Sequence, residues 1–186
     1  MKLTDAEIIN RVLSGDTDSF GLLVDRYSTR VFGLVSKVVP GGIEAPDIVQ
    51  EIFVRAFTRL PRFERRCGFG TWLYSLAYRY VIDLCRTSAA SRAVAVDEES
   101  LQAISDSAVD IFLESDDPHL CALPEALDML TVQDRTLVTL FYFEGMPVAD
   151  IAVVMDMTPA NVKVRLHRIR KQLYILINKL SAQYEG

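Results

Sequence analysis

Residues 158–173, TPANVKVRLHRIRKQL, combine a helix start, a buried stripe and a basic surface in one short stretch. Thr158 can cap the first turn through its hydroxyl, and Pro159 suits the first helical position, where no N–H is missed. Val162, Leu166, Ile169 and Leu173 recur at steps of four, three and four, the spacing of a single buried face. Lys163, Arg165, His167, Arg168, Arg170 and Lys171 take the remaining surface, and no acidic residue falls between Ala160 and Leu180. A capped basic helix of this kind suits the major groove of DNA. A solvated face on an ordinary amphipathic helix has the same pattern, so the neighbouring segments decide between the two.

Pro147 to Met155 (PVADIAVVM) predicts a short helix with Val148, Ile151, Ala152 and Met155 on one side. Asp156-Met157-Thr158 then forms the turn into the basic helix. A short helix, a tight turn and a longer basic helix make a DNA-binding helix-turn-helix, and Ala152 is small enough for the close crossing. Upstream, Val132 to Phe143 supplies a further helix through Leu137, Val138, Leu140 and Phe141, ended at Glu144-Gly145. The reading is a helix-turn-helix domain over 122–180.

The rest of the chain is helical in pattern too. Its 186 residues are half hydrophobic, with little glycine or proline, which predicts an all-α protein and excludes disorder throughout. No charge-free run is long enough for a membrane span, and MKLTDAEIINRV does not read as a signal peptide. Unpatterned Cys67, Cys85 and Cys121 point to a reducing cytoplasm. His119-Leu120-Cys121 is a poor metal site in a chain with two histidines and no CxxC. With no glycine-rich phosphate loop and no nucleophile–base pair, neither an enzyme nor a cofactor is expected.

Net charge is −5, and its distribution matters more than its sum. Asp97 to Asp128 holds ten acids and no Lys or Arg, whereas Arg55 to Arg92 holds eight arginines against Glu64 and Asp83. The chain is basic, then acidic, then basic. Each basic block is a potential phosphate footprint, while the acidic total predicts weak DNA binding without a partner.

Three segments result: a domain at 1–87, an acidic flexible linker at 88–121 and the helix-turn-helix domain at 122–186. The linker lacks sustained periodicity, with room for a short helix around 107–114. In the first domain, Thr4 and Glu7 form a capping box ahead of Ile8, Ile9, Val12 and Leu13. A second helix starts near Asp16–Asp18 and carries Phe20, Leu23, Val24, Tyr27 and Val31 towards Val39, before the break Pro40-Gly41-Gly42. The third, opened by Pro46-Asp47, turns Ile48, Ile52, Phe53, Ala56, Phe57 and Leu60 inward and ends at Pro61. Asp47, Gln50, Glu51, Val54, Arg55 and Thr58 lie on or beside its opposite side. The fourth, Thr71 to Arg86, is expected to bury Leu73, Leu76, Ala77, Tyr80, Val81 and Leu84, leaving Tyr74, Tyr78, Arg79, Asp83 and Arg86 outside.

Between Phe63 and Tyr80, aromatic Phe69, Trp72, Tyr74 and Tyr78 interleave with Arg62, Arg65, Arg66 and Arg79. Arginines hold phosphates and exposed aromatics stack on unpaired bases, a mixture suited to single-stranded or melting DNA. Trp72 and Phe69 also suit the plug of a small bundle core, the favoured reading for Trp72. Tyr74 and Tyr78 are open between the two.

Together these blocks resemble the bacterial RNA polymerase sigma factors of the extracytoplasmic-function group, part of the sigma-70 superfamily. Leu22-Leu23…Tyr27 resembles the family's first block and DIVQEIFVRAF (47–57) its core-polymerase-binding helix. FGTWLYSLAYRYVIDLCR (69–86) is similar to the block that recognises and opens the −10 element. VKVRLHRIRKQL (162–173) is similar to the recognition helix for the −35 element. The resemblance implies docking on core RNA polymerase through Asp47, Gln50, Glu51 and Arg55. It implies −10 contacts from Arg62, Arg65, Arg66, Trp72, Tyr74, Tyr78, Arg79, Asp83 and Arg86. Contacts with the −35 element would come from Thr158, Asn161, Lys163, Val164, Arg165, His167, Arg168 and Lys171. An anti-sigma factor is the implied inhibitor, and the acidic linker would cross the polymerase near its RNA exit path or active-site cleft. Three positions depart from the family pattern: Arg79 for a usual Asn, Val164 for a common Ser, and Ile169 for a small residue. The rival class is an autonomous helix-turn-helix regulator with an N-terminal sensor domain, which leaves the DIVQE helix and the Arg-aromatic block unaccounted for. The sequence leaves open whether the two domains pack together.

Overall fold

In the computed structural model, residues 3–39, 44–87, 93–109 and 118–184 are described, and they are helical or connecting with no strand among them. Helix α1 (Asp5–Leu13) starts at the expected capping box: Glu7 N–H donates to Thr4 Oγ1 at 3.3 Å, and Thr4 N–H donates to Glu7 Oε2 at 2.7 Å. The Thr4 N–H, and the Thr4 hydroxyl donating to the same Oε2 at 2.8 Å, hold the Glu7 carboxyl below its ordinary pKa. Thr4→Ala should lower stability by about 1 kcal/mol, measurable as an earlier urea midpoint. Gly15, at φ +110°, reverses the chain after α1, and Asp16 caps the following turn at Ser19. The break expected at Pro40-Gly41-Gly42 lies outside the described residues.

Helices α2 (Phe20–Val38), α3 (Ala45–Arg59) and α4 (Phe69–Thr87) complete the first bundle. Its centre is Ile8, Leu23, Val31, Leu34, Ile52, Ala56, Leu60, Leu73 and Ala77, all nearly inaccessible. Two expectations need correction. Phe57 is 39% exposed rather than a core residue, because it stacks edge-on against Phe20 at the rim of the α2–α3 contact. On α4, Tyr80 and Leu84 are only half-buried.

The second domain contains α6 (Leu123–Asp128), α7 (Val132–Val138), α8 (Val148–Met155) and α9 (Pro159–Tyr184). Helix α7 continues into a wider π turn at Thr139–Phe143, closed by Glu144 N–H to Thr139 O at 3.0 Å. Gly145 follows at φ +62°, and Asp156 takes the left-handed conformation that ends α8. Leu137, Leu140, Ile151, Val162, Ile169 and Ile177 form the centre of this domain. The linker contributes a helix, α5 (Glu98–Ala103), capped by Asp97 accepting from Ser100 N–H at 2.7 Å. Residues 106–109 are helical too, and the remainder of the expected 107–114 helix lies outside the described residues.

The domains pack together. Helix α8 lies along α4, α2 meets α7 and the π turn, and the two cores merge into one hydrophobic cluster. The outer side of α4 is therefore covered, and Tyr74, expected on that outer side, is 3% exposed. Its hydroxyl donates to Glu144 Oε2 at 2.7 Å across the domain boundary. Lys37 reaches the Phe143 ring at 5.3 Å across the same boundary.

Candidate polymerase-docking and nucleic-acid surfaces

Helix α3 presents Asp47 and Gln50 to solvent on the side away from Ile48, Ile52 and Ala56. Glu51 and Arg55, one turn apart, form a 2.6 Å ion pair, and the Arg55 guanidinium lies 4.2 Å from the Tyr80 ring centre. Arg55 thus braces α3 against α4 as well as facing outward. Beside these polar residues runs an open groove of about 760 Å³ between α2 and α3. Phe20, Val24, Phe32, Val49, Phe53 and Val54 give it an almost wholly apolar lining. Phe32 is 45% and Val54 53% exposed, an apolar patch that a monomer gains nothing by displaying. Sequence reading singled out the charged side of α3 but not this groove. The available signal was Phe32, an aromatic off the buried stripe of α2.

The Arg-aromatic block divides into two parts. Phe63, Phe69 and Trp72 form one cluster, with ring centres 4.9 to 6.1 Å apart, so Trp72 is half-buried as a plug of the bundle. Tyr27 closes the cluster edge-on to Phe69, and its hydroxyl donates to Asp5 Oδ2 at 2.5 Å. Burial and that bond push the Tyr27 hydroxyl up to about 12, and they push Tyr74 up as well, through burial and Glu144. A raised folded-state pKa makes stability complete below the unfolded value near 10 and loses it as pH rises through 12. Tyr27→Phe should therefore flatten the fall in stability between pH 10 and pH 12, as read in urea titrations.

Arg62, Arg65, Arg66, Arg79, Asp83 and Arg86 are exposed. Arg65 takes a left-handed backbone (φ +57°) and bonds Asn10 on α1, while Arg66 pairs with Glu64 at 2.7 Å. Asp83 and Arg86 approach to 3.7 Å along α4. Tyr78 is half-buried, with Arg165 and Asp134 of the second domain in its electrostatic surroundings. The structure thus keeps the arginines on the surface and puts Tyr74 inside.

On α9, Thr158 Oγ1 accepts from Asn161 N–H at 3.2 Å, the cap expected from the sequence. Val162, Leu166, Ile169 and Leu173 form the buried stripe. Asn161, Lys163 and Val164 project outward from the first turns, with Val164 69% exposed. Arg165 points inward instead, binding Asp134 at 2.6 Å and Gln133 at 3.0 Å on α7. Arg168, His167 and Lys171 meet linker acids at Glu98 and Asp106.

The arrangement can be placed among known proteins. The Sigma-70 region 2 model matches residues 23–91, and the Sigma-70 region 4 model matches residues 122–173. The chain is 33% identical over 184 residues to the ECF RNA polymerase sigma-E factor of Escherichia coli K12, covering 92% of this chain and 93% of that one. It belongs to the ECF sigma factor family. The sigma-E factor of Haemophilus influenzae Rd is 29% identical over 183 residues, covering 92% of this chain and 94% of that protein. Among solved structures, CnrH in complex with the cytosolic domain of CnrY superimposes with a TM-score of 0.65 at 24% identity, covering 92% and 96% of the two chains. RpoE of Bartonella quintana, solved with the anti-sigma factor NepR, gives 0.62 at 20% identity, covering 86% and 96%. These two likenesses concern the fold. In sigma-factor terms, α2 to α4 carry region 2 and α6 to the middle of α9 carry region 4, with the acidic linker between them. Among the described residues, no helix is long and apolar enough to cross a membrane.

Proposed function

We propose that this chain is a transcription initiation factor that joins core RNA polymerase and directs it to promoters by reading −10 and −35 elements. The observation that carries this reading is the presence of regions 2 and 4 in family order, within a 33% identity that spans 92% of the chain. The apolar α2–α3 groove, which Gln50 helps to line, together with Asp47 and Glu51 next to its lining residues along α3, is the docking face. Apolar area supplies affinity there, and the rim charges fix orientation. The exposed arginines around α4 approach the −10 strand, and Asn161, Lys163 and Val164 lead the entry of α9 into the major groove. Lys reads guanine, Asn reads adenine, and an exposed valine suits a thymine methyl. The chain itself performs no catalysis in this role and acts in the cytoplasm, where the polymerase is.

An anti-sigma factor completes the proposal, since the same apolar groove would serve an inhibitor that competes with polymerase. The autonomous-regulator alternative needs an enclosed effector pocket, and the groove is open along its length. Gel filtration with bacterial core RNA polymerase at moderate salt tests the docking face. The wild type should co-elute, and Asp47→Arg with Glu51→Arg should abolish co-elution while costing the fold only a few tenths of a kcal/mol through the lost Glu51–Arg55 pair. A wild type that stays apart from polymerase, without inhibitor present, contradicts the proposal.

A further inference from the structure

The acidic linker lies on the basic surface of α9. Glu98 bonds Arg168 at 2.9 Å, and Asp106 bonds both His167 Nε2 at 2.8 Å and Lys171 Nζ at 2.9 Å. Gln172 donates to Val94 O at 3.1 Å, and Val94 N–H is itself tied to Met129 O at 2.9 Å. Leu101 and Val109, 4% and 2% exposed, anchor the segment between these polar contacts. Lys171 is left 15% exposed in its side chain, although a lysine in this position would otherwise extend into water. Asp106 is held below its ordinary pKa by the hydrogen bonds from Lys171 and His167, as a carboxylate serving two cationic partners should be.

We propose that residues 93–109 are a built-in cover of the recognition helix, in which linker carboxylates hold the cations that DNA phosphates would otherwise take. The inference rests on reading α9 as the −35 helix. Phosphates and the linker acids need the same Arg168, His167 and Lys171 atoms, so the two states exclude one another. The first turns of α9, with Asn161, Lys163 and Val164, stay open, so the cover opposes backbone anchoring more than base reading. Drawing the linker away, as docking on the polymerase would, exposes the whole surface. The negative net charge and the local cover then act together to keep the unassembled protein off DNA.

The test uses the full chain and a fluorescent random-sequence duplex of about 30 base pairs, at about 50 mM salt. Glu98→Gln with Asp106→Asn should bind the duplex about tenfold tighter than wild type, with a salt dependence steeper by about two phosphates. Glu99→Gln with Asp18→Asn changes net charge equally at exposed acids and should change affinity by less than about threefold. Adding Arg168→Ala and Lys171→Ala to the first variant should remove its gain. In the wild type, hydrogen exchange of residues 98–109 should accelerate when the duplex is added. Equal affinities for the two charge-matched pairs overturn the cover and leave the sigma-factor reading intact, which co-elution with polymerase reports separately. A gain that survives Arg168→Ala and Lys171→Ala, or a Glu98→Gln with Asp106→Asn variant that binds no tighter than wild type, overturns the cover.

Discussion

Phe32→Glu combined with Val54→Glu should weaken binding to core RNA polymerase by about 100-fold while leaving the fold within about 0.5 kcal/mol of wild type. Both side chains are about half exposed and line the α2–α3 groove itself, so neither is needed to fill the bundle. In a docked complex they would be fully desolvated, and a carboxylate there would be buried without a partner. Such truncation or charging of central apolar anchors costs several kcal/mol in protein interfaces, whereas rim contacts cost little. Fluorescence titration of labelled protein with core polymerase gives the affinity, and urea unfolding gives the stability. A double variant that binds normally would move the docking face elsewhere on region 2.

Arg165→Ala should behave unlike its neighbours on α9. Arg165 is a basic residue on the recognition helix, yet it binds Asp134, whose side chain is 14% exposed, and Gln133 beside it. Removing it leaves Asp134 largely buried with only the Thr131 hydroxyl, which donates to it at 2.6 Å. A loss of about 2 to 3 kcal/mol of stability is expected. Asp134→Asn in the same chain should recover part of it, because the stranded charge is then gone. Lys163→Ala, on the exposed side, should keep full stability and weaken binding to promoter DNA instead, with a salt slope reduced by about one. Thermal unfolding alongside DNA titration separates the two. If both variants lost DNA binding equally at unchanged stability, Arg165 would have to leave Asp134 and reach the groove.

The contrast shows what the sequence could reveal. Helix starts and stops were legible because their causes are local: Thr4 with Glu7, Thr158 with Pro159, and Gly145 after the π turn each act within a few residues. The buried stripe of α9 was legible because its period is regular over about three turns. Arg165 was not separable from Lys163 or Arg168, since its partner lies 31 residues away and no periodicity encodes an ion pair. Tyr74 belonged to a helix that is apolar on more than one side. Only the packing of the second domain against α4 explains why. The linker read as an acidic run without periodicity, and its contacts with His167 span 61 residues. The groove was hidden for a related reason: Phe57 fits the inward stripe of α3 by spacing, yet it lines the groove edge-on to Phe20 instead.

The covered side of α4 bears on function as well as legibility. With α8 along α4 and Tyr74 bonded to Glu144, the closed arrangement holds one tyrosine of the proposed −10 set inside the molecule. If binding the two promoter elements of the proposed function parts the domains, the Tyr74–Glu144 bond and the Lys37–Phe143 contact would break.

A factor of the proposed kind gives polymerase its promoters. Reconstituted transcription on genomic DNA of the source organism reads this out, with the 5′ ends of transcripts mapped for core polymerase alone and with the protein added. The expected result is a set of start sites that appear only with the protein and share two sequence elements at constant spacing upstream. Start sites indistinguishable from those of core polymerase alone, despite co-elution of the two, would contradict it.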